Sequence, residues 1–255
     1  MIDMPDLLLF SLITMRVSGF ILLNPIFGRK TIPTMVKAGF IMVLSVSMLT
    51  YTQGQGITVE IAGPLAYGIL LLKEFLMGFV LGYVVSLFFY VAAYAGGIID
   101  FNIGMSMASV YDPQNNTTMP LTGTIMNAMI MLLFFAVDGH LALFKILAES
   151  EQVIPYGQVM ITNQAMQAVL DIFQECTLLA VKLSFPIVAL ELLVEIGVGV
   201  LMKVIPQINV FVVNIQIKVL VGNFLLLLMC IPFGEFFGDL VNRMVDTVSF
   251  VLTLL

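Results

Sequence analysis

Apolar residues fill long runs along this chain, and short clusters of Gly, Pro and polar residues cut the runs apart. Taking those clusters as helix ends gives segments at about 7 to 23, 38 to 52, 65 to 99, 124 to 148, 165 to 204, 208 to 231 and 236 to 255. The breaks are Asn24-Pro25-Ile26-Phe27-Gly28-Arg29-Lys30-Thr31-Ile32-Pro33, Gln53-Gly54-Gln55-Gly56, Asp112-Pro113-Gln114-Asn115-Asn116, Ile154-Pro155-Tyr156-Gly157 and Ile205-Pro206-Gln207. Several segments reach the roughly 18 to 20 residues that carry a helix across a hydrocarbon core about 30 Å thick. The pattern predicts an all-α membrane protein. Pro186 and Pro232 stand inside or beside long runs, where a missing backbone donor is expected to kink the helix. Two segments are too long for ordinary spans: the one from 65 to 99 would extend roughly 52 Å at about 1.5 Å per residue, and the one from 165 to 204 has the same excess. Either these helices break, at Gly78 or Gly82 and at Pro186, or they belong to an assembly that rises beyond the membrane plane.

Composition strengthens the membrane reading. Of 255 residues, 60% are hydrophobic and 10% charged, more apolar surface than one water-soluble core could hide. The formal charge of −6 and ten scattered basic residues leave no cluster suited to nucleic acid or to an anionic lipid anchor. Asp3 and Asp6 stand where a cleavable signal would carry Lys or Arg, so the first helix is expected to be retained. Arg29, Lys30 and Lys37 fall in the first connection, whereas Glu60, Glu149 and Glu151 make later loops acidic; the positive-inside bias then puts the N-terminus outside.

Charges inside the apolar segments change the picture. The run from 165 to 204 carries Asp171, Glu175, Lys182, Glu191 and Glu195, and the next carries Lys218. Each would cost at least about 2.5 to 3.5 kcal/mol at the centre of a lipid-facing helix, so these groups are expected to face protein or water. Asp171 with Glu175, and Glu191 with Glu195, are four residues apart and share a helix face. A hydrated pathway or subunit contact, internal pairing with Lys182, Lys203 or Lys218, and a proton relay all remain open.

Catalytic chemistry is hard to assemble from this sequence. His140 is the only histidine, which removes a His-based zinc helix, and it follows Asp138-Gly139 at a turn signal. No serine sits in a Gly-x-Ser-x-Gly elbow, and no nucleotide-binding Gly-x-x-x-x-Gly-Lys-Ser/Thr loop occurs. Asp112 and Asp239 lack the surroundings of a proton-sharing aspartate pair. No enzymatic role and no cofactor are expected.

The order of short motifs carries a resemblance. Asn24-Pro25-Ile26-Phe27-Gly28 with Pro33 and Lys37, Glu74-Phe75-Leu76-Met77-Gly78 with Gly82, and Ala95-Gly96-Gly97-Ile98-Ile99-Asp100 with Gly104, Asp112 and Pro113 resemble the FliR family. The series continues through Leu133-Phe134-Phe135, Gly139-His140, Pro155, Pro186 and Pro206-Gln207-Ile208-Asn209-Val210-Phe211. After Phe211 the chain departs from the family pattern, with Asn214-Ile215-Gln216-Ile217 in place of a Gly-x-Pro and its kink.

The resemblance implies a subunit of the flagellar type III export gate, or of its injectisome counterpart, at the bacterial inner membrane and flagellar basal body. Implied partners are FliP-like and FliQ-like subunits, an FlhB-like protein, the lipid bilayer and exported unfolded flagellar proteins. It also implies kinked helical hairpins, with a FliP-like part at 1–160 and a FliQ-like part at 161–255. A plug loop is implied at about 99–113, where Gly104, Ser106, Ala108 and Ser109 are small enough for close approach and Met105, Met107, Val110 and Tyr111 can fill a lumen. Glu74, Asp171, Glu175, Lys182, Glu191, Glu195, Lys203 and Lys218 are the candidate buried or assembly charges; Pro25, Gly28, Pro33, Asp112, Pro113, Gly139, His140, Pro206 and Gln207 are the candidate turn residues. An ion-coupled small-solute transporter is the alternative, since it too would use broken helices and midplane carboxylates.

Overall fold

Among the described residues the apolar runs fold as α-helices. A computed structural model of the chain describes residues 4–52, 63–107, 110–112, 117–204 and 210–255. Its helices are α1 (Met4–Leu23), α2 (Thr34–Thr52), α3 (Pro64–Ile103), α4 (Leu121–Ala136), α5 (Gly139–Val153), α6 (Asn163–Val204), α7 (Val210–Leu228) and α8 (Cys230–Leu252). Between α3 and α4, a 3-10 turn at Met105–Met107 leads into a short antiparallel ladder, β1 (Val110–Asp112) with β2 (Thr117–Met119), in the register Val110 to Met119, Tyr111 to Thr118 and Asp112 to Thr117. By length and composition α1, α2, α3 and α6 can each cross a membrane, and α4 with α5 and α7 with α8 add up to two more as bent pairs.

Several helix ends differ from those expected. The run from 124 to 148 is two helices, because Asp138 adopts a left-handed conformation (φ 55°) that ends one and starts the next. Its carbonyl then accepts from the backbone N–H groups of Leu141 and Ala142, opening α5. The two overlong segments do not break: α3 runs for 40 residues through Gly78 and Gly82, and α6 for 42 residues through Pro186. Pro232 interrupts nothing, since it is the third residue of α8, within the first turn, whose N–H groups lack intrahelical acceptors anyway. The bend between α7 and α8, 57°, falls instead at Met229. α7 continues through Asn214 to Ile217 without interruption. Pro113, Pro206, Gln207, Ala108 and Ser109 lie outside the described residues.

The chain forms two compact units. The first comprises residues 1–87, 138–173 and 242–255. Its core takes Leu12, Ile13, Val17, Phe20 and Ile21 from α1, Met77, Leu81, Val84 and Val85 from α3, Leu143 and Leu147 from α5, and Met244, Val248 and Val251 from α8. The connection from α1 to α2 is built tightly. Asn24 Oδ1 accepts from the N–H groups of Ile26 and Phe27, Lys37 Nζ donates to the Gly28 carbonyl at 2.8 Å, and a Cβ on Gly28 would lie 2.5 Å from the Leu22 carbonyl oxygen. Pro33 supplies the carbonyl that accepts the first N–H bonds of α2. Phe27, Phe40 and Phe144 meet in a three-ring cluster with centroids 5.1 to 5.8 Å apart.

The second unit comprises residues 88–137 and 174–241. Phe88, Phe89, Ala92, Ala95, Ile99 and Ile103 of α3, Met126, Ile130 and Phe134 of α4, Ile187 of α6 and Phe237 of α8 are buried in it. Glycines permit its closest helix approach: a Cβ on Gly96 would sit 2.2 Å from Gly123 Cα.

In the first unit the same device joins α1 to α3. A Cβ on Gly78 would lie 2.0 Å from the Arg16 carbonyl oxygen, and one on Gly19 would lie 2.2 Å from that of Phe75. Backbone stands against backbone, as at small-residue helix contacts in membranes. Gly78→Ala is therefore expected to destabilise the chain by at least about 1 to 3 kcal/mol, the usual scale of overpacking. Gly234→Ala, where a Cβ meets nothing within 4 Å, is expected to leave stability equal or higher. Thermal unfolding of the purified variants in detergent checks both, and equal midpoints for the two would contradict the contact.

Candidate functional site

The first charged centre is an ion pair without access to water. Arg16, midway along α1, and Glu74 of α3 are each 0% exposed. Arg16 Nε donates to Glu74 Oε2 at 2.6 Å, Nη1 donates to Ser150 Oγ at 2.9 Å and Nη2 to the Ile154 carbonyl at 3.1 Å. Ser150 passes its own hydrogen to the Leu147 carbonyl. Glu74 Oε1 accepts the Gly157 N–H at 2.7 Å, and Gly157 holds φ +85°, a conformation that favours glycine. The guanidinium lies over the Tyr156 ring, 4.2 Å from its centroid. Burial pushes the Tyr156 hydroxyl up to about 12; Arg16 pulls against that shift, while Glu151 and Glu74 add to it. Nearby, the buried Thr52 hydroxyl donates to Glu151 Oε2 at 2.5 Å, tying the end of α2 to α5.

A second centre is the connection between α3 and α4. Asp100, 1% exposed, accepts from the Thr122 N–H at 3.0 Å and from the Thr122 hydroxyl, so a carboxylate sits at the N-terminus of α4 where the helix dipole favours it. Gly104 ends α3 with φ +85°. Phe101, Gly104 and Ser106 are exposed and Met105 half-buried; Met107 closes the 3-10 turn, and Val110, Tyr111 and Asp112 form the first strand of the ladder.

The remaining candidate charges divide by exposure. Glu191 is 1% exposed, with neither carboxylate oxygen hydrogen-bonded among the described residues. One turn later Glu195 pairs with Lys218 of α7 at 3.2 Å. Asp171, Glu175, Lys182 and Lys203 stand on the exposed surface of α6. Pro25 and Pro33 frame the first turn, Gly139 is buried at the start of α5 and His140 half-buried beside it. Among the described residues no three His, Cys, Asp or Glu side chains converge as metal ligands would.

A known family accounts for the sequence of this chain. The model described as "Bacterial export proteins, family 1" matches residues 7–244. The chain belongs to the FliR family of bacterial export proteins. It is 31% identical to the flagellar biosynthetic protein FliR of Bacillus subtilis (strain 168) over 224 residues, covering 87% of this chain and 85% of that protein. Identity to the FliR of Escherichia coli (strain K12) is 27% over 239 residues, 92% of this chain and 90% of the relative. The Yop proteins translocation protein T of Yersinia pestis is 25% identical over 185 residues, 72% of this chain and 71% of the relative.

In this FliR-family chain the residue that the sequence reading missed is Arg16. Its signal was present: one cation midway along an apolar segment, and one anion, Glu74, within another, need each other or water. Ser150, Ile154 and Gly157 gave no such signal, because they contribute through ordinary backbone and hydroxyl groups. Removing one partner of a buried pair strands the other, so Arg16→Met is expected to cost about 3 to 5 kcal/mol, with Arg16→Met/Glu74→Gln losing less than the sum of the single changes. A free tyrosine ionises near pH 10, so with Tyr156 raised to about 12 its contribution is complete below about pH 10 and is lost as pH rises towards 12. Unfolding midpoints measured across alkaline pH test this, and Tyr156→Phe should remove that part of the dependence.

Proposed function

We propose that this chain is a non-enzymatic subunit of the flagellar type III export gate and forms part of the channel through which unfolded flagellar proteins cross the inner membrane at the basal body. The observation that carries the reading is α6. At about 1.5 Å per residue its 42 residues extend about 63 Å, roughly twice a hydrocarbon core. Leu170, Phe173, Phe185, Leu193, Ile196 and Val204 are exposed along it, beside the exposed Asp171, Glu175, Lys182 and Lys203. Lipid cannot cover apolar surface of that length, and the charges among it call for water or a protein neighbour.

FliP-like and FliQ-like subunits and an FlhB-like protein are the neighbours this reading requires. The same reading divides the chain into a FliP-like part at 1–160 and a FliQ-like part at 161–255. It makes the chain a conduit, with energy supplied elsewhere. The flagellar apparatus is preferred to an injectisome because the flagellar relatives given above match more of the chain at higher identity than the Yersinia protein does.

Gly104 to Tyr111 is the closure element in this proposal. The segment leaves α3 at a glycine in a left-handed conformation, and its first residues are small or flexible and largely exposed.

Two experiments test the proposal. Co-expression with the FliP-like, FliQ-like and FlhB-like proteins of the same genome should yield one stable complex in detergent; a lone monomer that binds a small solute would establish a transporter instead. Deleting Gly104 to Tyr111 should raise ion leakage in cells carrying the full gate, and unchanged conductance would remove the plug.

A further inference from the structure

We infer that the outward face of α2 is where acyl chains of the bilayer cover this chain and, given the gate proposed above, that it keeps this lipid contact once the partner subunits are in place.

α2 is covered by its own chain on one side only. Ser45, Met48 and Thr52 are buried on that side, and Phe40 packs on Phe27 and Phe144. On the opposite side Met35, Gly39, Met42, Val43, Val46 and Thr50 recur at helical spacing, all of them exposed; Val43, at the middle of the helix, is 68% exposed. No charged residue occurs from Ala38 through Thr52. At about 1.5 Å per residue the 19 residues of α2 extend about 28 Å, close to a hydrocarbon core of about 30 Å.

In lipid a polar group has no water to bond and must find its partner within the protein. Ser45 Oγ donates to the Ile41 carbonyl at 2.8 Å and Thr50 Oγ1 to the Ser47 carbonyl at 2.7 Å, both on the helix itself. The Thr52 hydroxyl is taken up by Glu151. The two ends of α2 differ from its middle as bilayer interfaces require. Arg29, Lys30 and Lys37 gather at its start, with no acidic residue between Asp6 and the end of α2. Tyr51, 67% exposed, stands at the other end. Three cations are too few to hold a chain to a membrane surface, but cations and tyrosines mark the levels at which a helix leaves the hydrocarbon.

A protein neighbour calls for a different surface. α6 has 42 residues and mixes Asp171, Glu175, Lys182 and Lys203 with its exposed apolar side chains, whereas the α2 face offers no charge that would set a partner's register. Gly39, where a Cβ would meet nothing within 4 Å, leaves room for a neighbouring helix, and such a helix is the occupant to be excluded.

The chain contains no tryptophan, so one can be introduced as a reporter. Val43→Trp, Met35→Trp and, on α6, Leu193→Trp are made in the co-expressed complex and placed in nanodiscs of phosphatidylcholine brominated either deep in the acyl chains or near the headgroups. The unsubstituted complex supplies the partners' own emission, which is subtracted. Val43→Trp should lose most of its emission to deep bromines, Met35→Trp should lose more to shallow ones, and Leu193→Trp should be shielded from both. Val46→Trp, on the same face, replaces Val43→Trp if that variant fails to assemble. A reporter at Val43 or Val46 that is quenched in the lone chain but shielded in the complex would show a polypeptide on α2 and overturn the inference, as would one shielded in both. Quenching of Leu193→Trp in the complex would leave the α2 contact standing and remove the protein cover proposed for α6. If no complex forms, the gate reading fails, and quenching of Val43→Trp in the lone chain still decides whether α2 lies on lipid.

Discussion

A guanidinium and a carboxylate that are both cut off from water tolerate very little freedom around them. Desolvating each ion costs several kcal/mol, and their attraction offsets that only when the geometry is good and the remaining donors and acceptors find partners. In the first unit this condition shapes the surroundings of Arg16 and Glu74. The glycines at 19 and 78 let α1 and α3 approach until backbones touch, which brings the two ions to 2.6 Å. Ser150, the Ile154 carbonyl, the Gly157 N–H and the Tyr156 ring then take up what the pair leaves over. The chain from the end of α5 through Gly157 is consequently fixed by an ion pair on two other helices.

The same constraint separates what could be read from the sequence from what could not. Helix positions were legible because apolar runs bounded by Gly, Pro and polar clusters leave the backbone few alternatives. Helix continuity was harder. Gly78 and Gly82 looked like weak points in an overlong segment, yet a glycine in a helix is also the site of closest approach, and here close approach to α1 outweighs the conformational cost. Pro186 shows the related limit, since a lost donor deep in a 42-residue helix need not end it. Asp138 shows the opposite case: the Asp-Gly pair was visible, but that its left-handed φ splits an apolar run into two helices depends on the tertiary fold. Among site residues, Glu74 and Asp100 lay in recognisable motifs, while Thr122 and Ser150, one hydroxyl each, gave no warning.

Charge placement then distinguishes two kinds of surface. Arg16 and Glu74, buried in the first unit, are paired with each other, whereas Asp171, Glu175, Lys182 and Lys203 are exposed along α6 among exposed leucines and phenylalanines. A lipid-facing helix would exclude such groups, and a water-facing one would not carry so many large apolar side chains. Surface of this mixed kind suits contact with other polypeptides, where apolar packing and local charge pairing act together. It fits a family of export proteins whose members work within a larger apparatus.

Asp100 stands between these two kinds. It is buried like Arg16 and Glu74, but it is held by the first turn of the next helix rather than by a cation. A helix N-terminus stabilises an anion through partial charges on its N–H groups, whereas Glu74 is stabilised by the full charge of the Arg16 guanidinium. The fold places its buried ion pair in the core of the first unit. The Asp100 contact lies at the base of the segment between α3 and α4, where the carboxylate takes up both the N–H and the hydroxyl of Thr122.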